Sequence, residues 1–317
     1  MNKKPPPPLS EGYSAWEVID MQFEDPKWAI PNILPEGLNI LAGKPKSGKS
    51  FFALNIALAI ANGGMALGNI KVEKGTVIYL ALEDTLRRLQ GRILTMIKHE
   101  GSAPKNLYLY THFPRMDQGG LEYLKERVEL YPDTRLLIID TLAKIRPPVK
   151  GKNPYDEDYQ TISELKRLSD ACGISLLMIH HLRKTESENR FDDISGTFGI
   201  TGAADGLLLL IRNMGEATAE LHVTGRDVES TSYALKFHND LLSWNLLGNT
   251  EEQKSTDKKQ QIFDAIKASK EPISPKQMAK KTGLYAGYVT RMLPYLLKEG
   301  CIEKVGRGFY TYRDEII

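Results

Sequence analysis

The segment from Gly43 to Ser50 constrains what this chain can fold into more than any other part of the sequence. It reads Gly43-Lys44-Pro45-Lys46-Ser47-Gly48-Lys49-Ser50 and matches the pattern G-x-x-x-x-G-K-[ST]. The apolar run Leu38 to Ala42 before it predicts a buried strand, and Ser50 to Ala61 after it predicts a helix that ends at Gly63-Gly64. A glycine-rich turn between a buried strand and a helix is typical of a phosphate-binding loop, so we predict that this segment binds a nucleotide.

The residue types of this loop suit a triphosphate. Glycine lets the backbone approach phosphate oxygens closely, and the loop N–H groups and the helix N-terminus supply positive potential. We expect Lys49 to reach the β- and γ-phosphates and Ser50 to ligate Mg²⁺, and we count the next residue, Phe51, among the nucleotide-binding residues. The predicted cofactors are therefore ATP and Mg²⁺.

Apolar runs alternate with helical segments over most of the chain. Four runs have the apolar character of buried strands, namely Thr76 to Leu82, Arg135 to Asp140, Ser175 to His180 and Gly206 to Arg212. The helices predicted between them are Thr85 to His99, Leu121 to Leu130 and Tyr159 to Cys172. Strands that are apolar on both faces and alternate with helices are typical of a mostly parallel sheet covered by helices, so the predicted fold class is α/β.

Polar side chains follow three of these strands. Asp140 ends one strand, where a carboxylate can hold the water shell of Mg²⁺. Glu83 and Asp84 follow another; a carboxylate there can act as the base for the attacking water or cap the next helix, and Glu83 is the better candidate for the base. His180 and His181 end a third strand, where a polar side chain can contact the γ-phosphate, and alternation alone does not decide which of the two faces the nucleotide.

Taken together, these motifs resemble the RecA-type hexameric ATPases, and most of all the plasmid RepA-type replicative helicases. The resemblance covers about Trp28 to Leu242 and rests on five stretches, which are Gly37 to Ser50, Tyr79 to Asp84, Leu136 to Thr141, His180 to Lys184 and Ser195 to Asp205. It implies a RecA-like P-loop core that hydrolyses ATP, assembles into a ring, expected to be a hexamer, and passes single-stranded DNA through a central channel.

The resemblance also implies roles for single residues. Glu83 is the catalytic glutamate, and in this family it follows the strand next to the phosphate-loop strand. His181 is the phosphate sensor, with His180 as the fallback. Arg226 stands where the family carries the arginine finger that completes a neighbouring subunit's site, and Arg212 is the rival for this role.

Two segments have the position and basic character of loops that line the channel. Lys144 to Asp156 follows the Asp140 strand, and Arg183 to Asp193 follows the histidine strand. The predicted DNA-contacting residues in them are Lys150, Lys152, Arg183, Lys184 and Arg190. Both segments also hold acidic residues, so plain flexible loops remain the alternative.

We divide the 317-residue chain into a proline-rich arm (1–27), an ATPase domain (28–249), a charged linker (250–259) and a C-terminal domain (260–317). Residues 258–317 hold 12 Lys and Arg against 6 Asp and Glu, a charge of +6, whereas the whole chain carries only +2. A basic tail suits an anionic partner such as nucleic acid, or is simply a solvated lysine-rich surface. No signal peptide or membrane-spanning run is visible, so we expect a cytoplasmic protein.

The C-terminal domain resembles a winged helix-turn-helix. Its pattern predicts three short helices and then a hairpin around Gly306-Arg307-Gly308. The resemblance implies that Thr290 and Arg291 lie on the recognition helix and Arg307 on the wing, where they contact duplex DNA. A protein-docking module is the alternative, since Pro294 should kink the third helix.

The sequence therefore favours a ring-forming, ATP-driven DNA helicase or translocase that serves a plasmid, a phage or another mobile element. Two alternatives share the same residues. One is an ATP-switched DNA-binding regulator, and the other is a RecA/RadA-type recombination ATPase that forms filaments.

Overall fold

The strand that leads into the phosphate loop lies in the middle of a large sheet. The computed structural model describes residues 12–23, 25–98, 103–148, 154–182, 202–213, 215–269 and 271–313. The helices in these residues are α1 (Ala15–Asp20), α2 (Lys49–Asn62), α3 (Leu86–Met96), α4 (Gly120–Leu130), α5 (Leu142–Ile145), α6 (Pro154–Cys172), α7 (Thr250–Lys267), α8 (Pro275–Thr282) and α9 (Ala286–Lys298). None of these helices is long and apolar enough to cross a bilayer.

Nine strands form the central sheet. The strands of the described chain are β1 (Trp28–Ile30), β2 (Leu34–Pro35), β3 (Gly37–Gly43), β4 (Met65–Ala66), β5 (Ile70–Lys71), β6 (Thr76–Ala81), β7 (Leu107–Tyr110), β8 (Thr134–Asp140), β9 (Ser175–His181), β10 (Gly206–Ile211), β11 (Thr218–Gly225), β12 (Thr231–His238), β13 (Ser243–Asn249), β14 (Ile302–Lys304) and β15 (Tyr310–Tyr312). The order in the sheet is β13-β12-β11-β10-β3-β9-β8-β6-β7. The six strands from β10 to β7 run parallel and the other three extend the sheet antiparallel, which confirms the predicted α/β class.

Helices cover both faces of the sheet. On β3, Leu41 packs into the apolar cluster that includes α2, whereas Leu38 and Ile40 pack into the opposite cluster with α6. Helix α2 is apolar nearly all round, because it is enclosed between the sheet, α3 and the β4–β5 and β13 region. The start of α2, and with it the phosphate loop, is therefore held by packing on several sides.

A buried carboxylate ties together the lower edge of the sheet, where β3 and β10 begin. The Oδ2 atom of Asp205 accepts from the backbone N–H of Leu38 at 2.9 Å and from Nζ of Lys166 on α6 at 2.7 Å. Arg226, which follows β11, lies 3.4 Å from the other carboxylate oxygen. Gly37 has φ +89°, and a Cβ there would come within 2.5 Å of Oδ2, so the contact also depends on a glycine.

The C-terminal residues form helices α7, α8 and α9 and the β14–β15 hairpin, as the sequence pattern predicts. They have their own apolar core, which includes Ile262, Met278, Val289, Leu293 and Ile302. Ser274 caps α8 in a capping box, and α9 continues past Pro294 to its end. Residues 250–259, expected to be a linker, are the first part of α7, whose 18 residues form one continuous helix.

We predict that Asp205→Ala lowers the free energy of unfolding by about 3 kcal/mol, since it removes the closer carboxylate partner of Lys166 and leaves the buried backbone N–H of Leu38 without its acceptor. Urea unfolding followed by circular dichroism measures this. Asp170→Ala is the matched control, because it removes only the more exposed partner of Lys166, at 3.1 Å, and should cost less than about 0.5 kcal/mol. Equal effects of the two variants would contradict the role of Asp205.

Candidate nucleotide-binding site

The phosphate loop is closed by its own lysine. Lys49 is 4% exposed, and its Nζ donates to the carbonyl oxygens of Gly43 at 2.7 Å and Lys44 at 2.9 Å. Burial lowers the pKa of Lys49 to about 8, and the nearby carboxylates of Asp140 and Glu83 oppose the shift. A buried ammonium group that is hydrogen-bonded to two carbonyls can exchange these partners for phosphate oxygens.

A tryptophan from the far end of the sheet supports the loop from outside. Trp244 on β13 is 1% exposed, and its Nε1 donates to the carbonyl of Gly48 at 3.2 Å. Its backbone N–H donates to Oδ1 of Asn55 on α2 at 2.8 Å. Gly48 has φ +100°, and a Cβ there would lie 2.8 Å from the indole ring, so this position requires glycine.

The metal-ligand candidates predicted from sequence come together. Asp140 is 5% exposed at the end of β8, and its Oδ2 accepts from Oγ of Ser50 at 2.7 Å and from the hydroxyl of Tyr79 at 3.2 Å. Burial raises the pKa of the Asp140 carboxyl above its ordinary value, and the hydrogen bonds from Ser50 and Tyr79 limit that rise. Tyr79 is not among the site residues predicted from the sequence.

Glu83 stands beside this pair. Its Oε1 accepts from Oγ1 of Thr141 at 3.2 Å, and its Oε2 lies 3.7 Å from Nε2 of His181. The glutamate and the histidine side chains are each 44% exposed, so both are open to solvent at the edge of the sheet. A carboxylate that is anchored on one oxygen and accessible on the other can orient a water molecule.

Two expectations about this region are wrong. Asp84 does not cap α3, because the N-cap is Thr85, whose hydroxyl accepts from the N–H of Arg88; the Asp84 carboxylate instead pairs with Arg88 and Arg92. The strand before Glu83 is also not the neighbour of β3, because β9 and β8 lie between β6 and β3. Glu83 still reaches the site because β6 is next to β8.

The structure distinguishes the two histidines. Side chains alternate along β9, and Leu177 and Ile179 pack on the α2 side of the sheet whereas Leu176 and Met178 pack on the α6 side. The side chain of His181 therefore lies on the α2 side of the sheet, where it contacts Glu83, and His180 lies on the α6 side.

A family model described as an AAA domain, AAA_25, matches residues 5–187. The chain belongs to the AAA_25 family. The family and the geometry of the phosphate loop together make it a P-loop ATPase.

Two solved structures share the fold of this AAA_25 chain. One, the ATPase domain of another protein, aligns with a TM-score of 0.54 and 14% identity, over 67% of this chain and 85% of that one. The other, a DnaB-like replicative helicase described with its interactions with primase, aligns with a TM-score of 0.53 and 14% identity, over 66% of this chain. The AAA_25 chain covers only 57% of that helicase chain. At this identity the likeness concerns the RecA-like fold.

The two candidate arginine fingers of this AAA_25 chain lie at opposite edges of the sheet. Gly225 pairs with Gly206 at the start of β10, so Arg226 lies at the edge away from the phosphate loop. Arg212 follows the end of β10, at the loop's own edge, with its guanidinium 5.2 Å from the ring centre of Trp244.

The expected DNA contacts in the middle of the chain, Lys150, Lys152, Arg183, Lys184 and Arg190, lie outside the described residues. In the C-terminal part, Thr290 and Arg291 are exposed on α9, and Arg307 is exposed in the turn between β14 and β15. The guanidinium of Arg291 lies 5.4 Å from the ring centre of Tyr288.

We predict that Lys49→Ala reduces ATP turnover at least about 100-fold while the protein stays folded, because the ammonium acts on phosphate charge. Steady-state phosphate release measures turnover, and thermal unfolding checks the fold. Lys71→Ala is the control, since it removes an exposed amine that donates to Gly63 at the other end of α2. Turnover near the wild-type rate in Lys49→Ala would overturn the assignment.

Proposed function

We propose that this ATPase is a ring-forming DNA helicase or translocase that moves on single-stranded DNA during replication of a plasmid, a phage or another mobile element. The observation that carries the proposal is the cluster of Lys49, Ser50, Asp140, Glu83 and His181 at one edge of the sheet. This cluster combines a phosphate-binding group, a cation site, a base and a sensor on a fold similar to that of a DnaB-like replicative helicase.

The donor set at Ser50 and Asp140 suits Mg²⁺, which prefers hydroxyl, carboxylate and water oxygens. The hydroxyl of Ser50 already directs its proton to Asp140, so the lone pairs of Ser50 are available to a cation. Mg²⁺ bound with ATP supplies positive charge to the phosphate oxygens. Asp140 is buried enough for its negative charge to act strongly on such a cation.

We assign Glu83 as the base that activates the attacking water. Thr141 holds one of its oxygens, and the other faces the exposed edge of the site near His181. His181 leads directly into residues 183–190, the segment that carries the expected DNA contacts. A change in the His181–Glu83 contact when the γ-phosphate leaves is thus a short path from hydrolysis to DNA binding.

Arg226 is assigned as the arginine finger of a neighbouring subunit. Its side chain is 59% exposed and lies at the sheet edge opposite its own phosphate loop, so it can reach only the nucleotide of another subunit. Arg212 stacks beside Trp244 at its own loop and would act within one subunit. A finger supplied by a neighbour makes hydrolysis depend on assembly.

The C-terminal part is assigned as a winged-helix domain that contacts duplex DNA through Thr290, Arg291 and Arg307. The exposure of all three residues and the charge of +6 in residues 258–317 support this assignment. A protein-docking role uses the same exposed surface.

The second candidate function is an ATP-switched DNA-binding regulator. It is favoured by the C-terminal helices and hairpin, because they have an apolar core of their own. A unit with its own core needs no ring in order to bind DNA. In that case hydrolysis resets a state and does not drive movement.

The deciding experiment measures the ATPase rate per subunit against protein concentration, with and without single-stranded DNA. For a ring motor we expect a steep rise with concentration and stimulation by DNA. A flat rate that ignores DNA favours the regulator.

Mixing two inactive variants tests the shared site directly. We predict that Arg226→Ala and Glu83→Gln each lower turnover at least about 100-fold, while Glu83→Gln still binds ATP. Mixing them should restore part of the rate, because an Arg226→Ala subunit keeps its own glutamate and receives the finger of its neighbour. Arg167→Ala on the exposed side of α6 is the control. A mixture that stays inactive excludes Arg226 as a finger in trans.

A further inference from the structure

Tyr79 is a buried phenol at the centre of the site. It lies on β6, is 1% exposed, and packs on the α2 side of the sheet among apolar neighbours such as Val77 and Ala81. A tyrosine hydroxyl in such surroundings requires a hydrogen-bond partner. Its partner is Oδ2 of Asp140 on the adjacent strand, at 3.2 Å.

Two donors from different elements hold the same carboxylate oxygen. Ser50 donates to Oδ2 of Asp140 at 2.7 Å from the start of α2, and Tyr79 donates to it from β6. Neither of them donates to Oδ1, so the pair fixes the plane of the carboxylate and presents its second oxygen. Two donors on one oxygen determine orientation better than one, because a single bond leaves the group free to rotate.

The two donors differ in how firmly they are held. The hydroxyl of Ser50 turns about one bond and is itself expected to meet the cation. The Tyr79 ring is locked in the apolar cluster, and burial together with the charge of Asp140 keeps its pKa well above the ordinary value, so it remains a donor. The hydrogen bond from Tyr79 therefore holds the carboxylate in place when the Ser50 hydroxyl rotates.

We propose that Tyr79 is a positioning residue, which holds the Asp140 carboxylate in the orientation that binds the hydrated Mg²⁺ of Mg·ATP. This proposal rests on the assignment of Ser50 and Asp140 to Mg²⁺ in the proposed function. It assigns the hydroxyl a role separate from that of the ring, which only fills space.

The test titrates Mg²⁺ into the protein with a fluorescent, non-hydrolysable ATP analogue and reads the midpoint of the Mg²⁺-dependent binding change. Tyr79→Phe keeps the ring and removes the hydroxyl. We expect the midpoint to rise on the order of tenfold, the usual effect of losing a residue that orients a metal ligand. Affinity for the analogue without Mg²⁺ should match wild type, a split that a packing defect would not give.

Three variants make the outcome interpretable. Tyr110→Phe removes a hydroxyl from the neighbouring strand, where the ring contacts Phe113, and should leave the midpoint unchanged. Asp140→Asn should raise it strongly, and adding Tyr79→Phe to that variant should then change little. A normal midpoint in Asp140→Asn refutes the Mg²⁺ assignment itself. A shifted midpoint in Asp140→Asn with a normal one in Tyr79→Phe refutes only the role of Tyr79.

A measurement on the wild-type chain tests the proposal even if Tyr79→Phe does not fold. With ¹³Cζ-labelled tyrosine, we expect the Tyr79 resonance to shift when Mg²⁺ is added to the nucleotide complex, while the Tyr110 resonance stays in place. An unchanged Tyr79 resonance overturns the proposal.

Discussion

The buried ammonium of Lys49 is the contact on which the geometry of the site depends. It is nearly removed from water and bonded to carbonyls of Gly43 and Lys44, so the loop must curl around it. Because β3 ends at Gly43 and α2 begins at Lys49 itself, the curl is confined to residues 44–48. A Cβ at Gly43 would lie 2.6 Å from the carbonyl of Leu210 on β10, so close packing on the neighbouring strand fixes the loop from behind.

Strand alternation turns this loop into a site. The residues that meet around it come from three different strands, and each stands on the α2 side of the sheet, as Tyr79 on β6, Asp140 on β8 and His181 on β9 do. A shift of one residue in any of these strands would move its side chain to the α6 side. The apolar residues that precede each polar one therefore determine the chemistry by fixing the register.

The sequence predicts what is local and leaves out what is distant. The loop, Asp140 and the strands around them follow from short patterns, and the structure agrees. Tyr79 begins one of the stretches that carry the resemblance, and Trp244 lies in none of them. No motif assigns either side chain to the site, because their partners lie 61 and 196 residues away along the chain. Alternation gives the relative sides of His180 and His181, but only the packing of β9 gives the absolute side. The alternative in which Asp84 caps α3 is wrong, because the helix begins one residue later, with Thr85 at the N-cap, and the Asp84 carboxylate pairs with Arg88 and Arg92.

The proposed role of Arg226 as an arginine finger requires that its side chain leave Asp205. Its guanidinium lies 3.4 Å from Asp205, a long contact, whereas Lys166 and the N–H of Leu38 hold the same carboxylate at 2.7 and 2.9 Å. If Arg226 moves to a neighbour's phosphate, Asp205 keeps these closer donors and no buried charge is left unpaired. The exposed arginine then loses little on departure, so the part of the sheet where β3 and β10 begin keeps its contacts in the proposed ring.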